Sequence, residues 1–77
     1  MDQFTKDFYV KHLLDLINKS KKEIFNPFSI FRQWPTRQEA EEILDELRKK
    51  DFIIENPIDP SKKEEGFSYI AYYTIRW

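Results

Sequence analysis

Three stretches of the chain, residues 4–19, 36–50 and 67–76, repeat apolar and polar positions regularly, and each predicts an element. Over residues 4–19, Val10, Leu13, Leu14 and Ile17 recur at i, i+3, i+4 and i+7, the stripe of an amphipathic helix, with Phe4 and Phe8 extending that side one turn earlier. Asp2 or Thr5 stands where an N-cap is needed, and Lys19, Lys21 and Lys22 oppose the negative end of the helix dipole. Glu23-Ile24-Phe25 has room for only a one-bridge strand. Asn26-Pro27 then reads as a helix start, Asn as N-cap and Pro at the first helical position. This second helix, about 27–33, ends because Pro35 biases Trp34 away from helical angles, and it turns Phe28, Ile30 and Phe31 inward.

A third helix, about 36–50, has agreement among all its local signals. Thr36-Arg37-Gln38-Glu39 is a capping box, in which the Thr hydroxyl accepts from the Glu39 N–H and the Glu carboxylate reaches back. Ala40, Ile43, Leu44 and Leu47 repeat at helical spacing, and Asp45 with Lys49 and Glu46 with Lys50 form i, i+4 acid-to-base pairs. Residues 52–55 read as a strand, and 56–66, with two prolines and the only glycine, as a loop. Residues 67–76 alternate Phe67, Tyr69, Ala71, Tyr73 and Ile75 against Ser68, Ile70, Tyr72, Thr74 and Arg76, which predicts a second strand paired antiparallel with 52–55.

The elements predict one α+β domain over residues 1–77, in the order α-(β)-α-α-β-β. That is the layout of a winged helix-turn-helix, with the loop 56–66 as the wing and the tight Trp34-Pro35 turn between the second and third helices. The stretch Leu47-Arg48-Lys49-Lys50-Asp51-Phe52-Ile53 resembles the helix exit of winged-helix domains, Asp51 standing where many of them have glycine. With Phe25, Phe31-Arg32-Gln33-Trp34-Pro35-Thr36, Glu39-Ala40 and Leu44, the chain is also similar to small winged-helix domains at the C-termini of plasmid- and phage-type primase-helicase replication proteins. The resemblance implies that the third helix meets DNA through Thr36, Arg37, Gln38, Glu41 and Asp45, with the wing near phosphates.

Composition qualifies that picture. Seven Phe, four Tyr and two Trp supply enough large side chain for a small core. The absence of cysteine excludes disulfides, a thiolate nucleophile and a Cys-based zinc site. No uncharged run approaches the ~20 residues of a membrane-spanning helix. The start, Met-Asp-Gln-Phe-Thr, has no signal-peptide character, so a cytoplasmic protein without a membrane partner is expected.

Net charge is −1, but residues 1–38 carry seven Lys and Arg against four Asp and Glu, whereas 39–77 carry six against ten. Dedicated nucleic-acid binders usually show a clear basic excess. The expectation is therefore modest nucleic-acid binding, DNA being the partner, by a transcriptional regulator or replication accessory. Arg32 and Arg37 flank the turn, Arg and Gln38 suit guanine and adenine edges, and Lys62 and Lys63 sit in the wing. Tyr72 and Trp77 are candidates for stacking on unpaired bases. The alternative is a protein-interaction or dimerisation module, using the acidic Glu41 and Asp45 or an Ile70/Tyr72 strand face. His12 lacks a nucleophile partner and one glycine cannot make a phosphate loop, so neither enzyme activity, nor a cofactor, nor a metal site is expected.

Overall fold

The computed structural model describes residues 1–58 and 66–77, the side chains of 66–68 excepted. Helix α1 (Gln3–Lys19) starts with the Asp2 carboxylate accepting from the Thr5 N–H at 2.7 Å. Strand β1 (Glu23–Phe25) leads into a 3-10 turn at Pro27–Ile30. Helix α2 (Arg37–Arg48) carries the complete capping box: Glu39 N–H to Thr36 Oγ1 at 3.2 Å, Thr36 N–H to Glu39 Oε1 at 2.9 Å. Strand β2 (Ile53–Glu55), the short helix α3 (Gly66–Ala71) and strand β3 (Thr74–Arg76) complete the order. Among the described residues the molecule is an α+β fold with three helices and one antiparallel sheet in the order β1-β3-β2.

Several expectations change here. The second helix is a single 3-10 turn that stops at Ile30 instead of reaching 33. Asn26 makes no side-chain cap, because it is left-handed (φ 48°) and its N–H bonds to the Tyr73 carbonyl at 2.8 Å as an extension of the ladder. Residues 67–76 are not one strand: the first half is α3, and only Thr74–Arg76 pairs. Tyr69, Ile70 and Tyr73 at i, i+1 and i+4 face the core together, a helical spacing that the i, i+2 alternation of the same segment concealed. Glu23–Phe25, expected to make a single bridge, pairs with β3 over three residues, so among the described residues the sheet has three strands, not two. Ile75 of β3 is flanked by Ile24 on one side and Ile54 on the other, and this row faces the helices.

The exit of α2 is a Schellman motif. Phe52 N–H bonds to Leu47 O at 3.3 Å, Asp51 N–H bonds to Arg48 O at 3.1 Å, and Asp51 is left-handed at φ 73°. Glycine occupies such positions at no Cβ cost, so Asp51 is strained. Leu47 lies in the core, and Phe52 packs against that cluster, which fixes where β2 begins.

The core is built by Leu13 and Ile17 of α1, the apolar face of α2, Phe28, and the segment around Tyr69–Ile75. Phe4 and Phe8 do not join it: they are 85% and 49% exposed. At 100° per residue, Phe8 lies about 140° and Phe4 about 180° around the helix from Leu13, so they occupy the opposite side. Ile30 is also exposed, while Phe28 is buried and Phe31 half-buried.

Asp51→Gly relieves the left-handed strain, so it is expected to stabilise the fold by about 0.5–1 kcal/mol. The thermal midpoint then rises by roughly 3–6 °C. An unchanged or lowered midpoint contradicts that account of the helix exit.

Candidate functional site

The N-terminal corner of α2 is formed by the turn that carries Arg32, Gln33 and Trp34 into the Pro35-Thr36 cap. Pro35 is buried, Trp34 half-buried and packed on the core, and Arg32, Thr36 and Gln38 are exposed. Thr36 is committed through Oγ1 to the capping box, which takes one of its two acceptor sites and fixes the side chain's orientation. Arg37 is placed differently from its expected base-reading role. Its guanidinium lies 4.1 Å above the Tyr69 ring, a cation–π contact between α2 and α3 that leaves it half-buried. Lys62 and Lys63 lie outside the described residues.

The acidic face of α2 is largely consumed within the molecule. Glu46 meets Lys6 of α1 at 3.6 Å and Lys49 at 3.4 Å. Asp45 takes Arg48 at 2.7 Å, and Glu41 lies 3.7 Å from the same guanidinium. The expected i, i+4 pairs of Asp45 and Glu46 are thus i, i+3 pairs with Arg48 and Lys49, one step earlier around the helix. These pairs are partly exposed and contribute little stability individually, but they offset the charge of α2 where a phosphate would otherwise meet it.

The second carboxylate oxygen of Glu41 accepts from the hydroxyl of buried Tyr73. Burial, then the hydrogen bond to Glu41 and its charge, push the Tyr73 phenol far above its ordinary value of 10.0, so it stays protonated and donates at every working pH. The Tyr73 ring lies edge-on to Tyr69 at 5.4 Å and to Phe28 at 6.1 Å. Arg37, Glu41, Arg48, Tyr69 and Tyr73 therefore form one polar-aromatic seam holding α3 and the start of β3 against α2. Neither Glu41 nor Asp45 is an idle acid awaiting a partner.

Ile70 is 3% exposed, so the expected Ile70/Tyr72 surface patch does not exist. The reason is the helical turn at Gly66–Ala71: it sends Ile70 into the core and leaves Tyr72 outside. The exposed apolar groups lie elsewhere. Phe4 and Phe8 line a shallow groove on α1 with Asp7 and Lys11. Phe25 and Pro57 border a second one across the outer face of the sheet, where Arg76 pairs with Glu55. His12 is wedged among aromatic rings, 4.4 Å from Phe8 and 6.1 Å from Phe31. The signal for the α1 groove was present in the sequence as the i, i+4 spacing of Phe4 and Phe8.

Among the described residues no cluster of three or more His, Asp or Glu could hold a metal ion, and no helix is long and apolar enough to cross a membrane. Comparison with protein-family models, with curated proteins and with solved structures finds no match to this chain.

Two predictions follow from the seam and the cap. Tyr73→Phe keeps the ring but removes the donor to a charged acceptor, so chemical denaturation should show a loss of roughly 1.5–3 kcal/mol. The Glu39 carboxyl is held below its ordinary 4.5 by the Thr36 N–H that it accepts. A lowered native value means fewer protons bound in the folded state, so this contribution is complete above pH 4.5 and is lost as pH falls through the native value. Melting of Glu39→Gln should therefore depend less on pH between 5 and 3 than melting of the parent, and parallel acid limbs would show that the cap carries no titrating stability.

Proposed function

We propose that this chain is a winged helix-turn-helix module that contacts nucleic acid with modest affinity through the N-terminal corner of α2. The role is that of a transcriptional regulator or replication accessory. The observation that carries the reading is the internal consumption of the carboxylates of α2 by Lys6, Arg48, Lys49 and Tyr73. Phosphate contacts supply most nucleic-acid affinity, and an unpaired acidic helix would oppose them. With its acids engaged, α2 presents exposed Arg32 and Gln38 at its leading end. The sheet order β1-β3-β2 behind that helix suits a winged-helix layout. In this reading Arg32 meets a phosphate, Gln38 reaches a base edge, and Arg37 braces the corner from its seat on Tyr69.

A second reading rests on a different observation. Phe4 and Phe8 form an exposed apolar stripe on the outer side of α1. In the protein-interaction alternative this stripe, rather than Ile70 or the paired Glu41 and Asp45, is the contact surface.

The test is anisotropy titration of a labelled mixed-sequence 20-base-pair duplex at about 50 and 200 mM salt. Binding should weaken with salt, and Arg32→Ala should reduce the slope of log affinity against log salt by about 1 while leaving the melting temperature unchanged. Absence of duplex binding at 50 mM, or Arg32→Ala matching the parent, removes the corner as a docking site. A concentration-dependent sedimentation coefficient abolished by Phe4→Ser with Phe8→Ser would favour the second reading.

A further inference from the structure

At the opposite end of α2, about 18 Å from the Arg32 corner for a twelve-residue helix, the fold gathers lysines around an exposed tryptophan. The Trp77 N–H bonds to the Lys22 carbonyl at 3.3 Å, so Lys22 stands beside it across the β1–β3 ladder. On its other side the Trp77 ring meets Phe52 edge-on at 6.1 Å, and Phe52 follows Lys50 and Asp51 at the exit of α2. Trp77 is nevertheless 42% exposed. Lys19, Lys21, Lys22 and Lys50 are exposed and enter no ion pair among the described residues, unlike the bases that neutralise α2. Glu23, the nearest acid in β1, belongs to the row with Arg76 and Ile53 on the outer face of the sheet, whereas the row of Ile24, Ile75 and Ile54 faces the helices.

We propose that this end of the sheet binds an unpaired nucleic-acid strand, one base stacking on Trp77 and the flanking phosphates meeting Lys21, Lys22 and Lys50. Charge complementarity selects a polyanion, and the indole selects its chemistry. Trp77 meets Phe52 with the two rings at 86° and is 42% exposed, which leaves part of the residue for a base, and a base can stack there only when it is not already stacked in a duplex. Lysines fit this partner because point charges on flexible stems follow a strand without demanding one sequence. The proposal extends the nucleic-acid reading to a second surface and does not use the Arg32 corner.

The probe is fluorescein-labelled dT12, titrated by anisotropy at about 50 mM salt, with poly-glutamate of equal charge as competitor. The expected results are dT12 binding, a loss of roughly fivefold or more in Trp77→Ala, and largely retained binding in Trp77→Phe. Lys21→Ala with Lys22→Ala should lower the salt slope by about 1.4, while Arg32→Ala binds dT12 like the parent. The Trp77→Phe variant keeps a ring against Phe52, so it separates stacking from any loss of fold in Trp77→Ala, which circular dichroism also monitors. No dT12 binding, equal affinity in folded Trp77→Ala, or equally effective competition by poly-glutamate overturns the proposal, the last in favour of an acidic protein partner. Duplex binding lost in Arg32→Ala with dT12 binding intact would show that the two surfaces stand or fall separately.

Discussion

Strand β3 is the constraint on which the rest of the molecule depends. β1 and β2 are three residues each and are not neighbours in the sheet, so each is paired into it through β3. Pairing Ile24 with Ile75 joins positions 51 residues apart in the chain, and such non-local closure carries an entropic cost that few backbone bonds can offset alone. Burial makes up the difference. Ile75 is fully enclosed, and just before it Tyr73 is locked by its ring contacts and its bond to Glu41. The loop after β2 is tied to the same place, because the Asn56 side-chain amide donates to the Tyr69 carbonyl at 2.7 Å and accepts from the Ile58 N–H at 3.0 Å.

How much of this was legible in the sequence depended on how local the deciding forces are. α2 was readable almost to the residue, since its cap, its apolar period and its left-handed exit at Asp51 are all settled within a few neighbours. The segment 66–76 was not. A six-residue helix has no stability of its own, and packing against α2 decides between it and a strand that the alternation of Tyr69, Ala71 and Tyr73 equally permits. Asn26-Pro27 misled for a related reason: the signature of a capped helix was present, but the ladder bond to Tyr73 claimed the Asn26 backbone and only one 3-10 turn fits behind it. The orientation of Phe4 and Phe8 was in the sequence as simple angular arithmetic against Leu13.

The candidate sites were legible as chemistry but not as commitments. Charge counting presented α2 as an acidic helix, whereas folding spends its carboxylates on Lys6, Arg48, Lys49 and Tyr73. The same counting treated Arg37 as available, although the Tyr69 ring beneath it comes from 32 residues later in the chain. Partner choice within the molecule is a tertiary property, and net charge along the chain does not contain it. Among the described residues, the exposed groups at the two ends of α2 include Arg32 and Gln38 at one and Lys50 at the other, the end that leads through Phe52 to the exposed Trp77.

The brevity of β1 and β2 has a consequence for the life of the protein at high concentration. The outer face of the sheet carries exposed Phe25 and Ile53, side chains that on longer strands would invite a neighbouring molecule to add itself edge to edge. Here each rim offers a stray strand only a backbone group or two to grip. The left-handed Asn26 turns the chain away immediately after one rim, and the left-handed Asp51 does so shortly before the other. The fold can thus leave apolar side chains in water while withholding the backbone template on which fibrils grow.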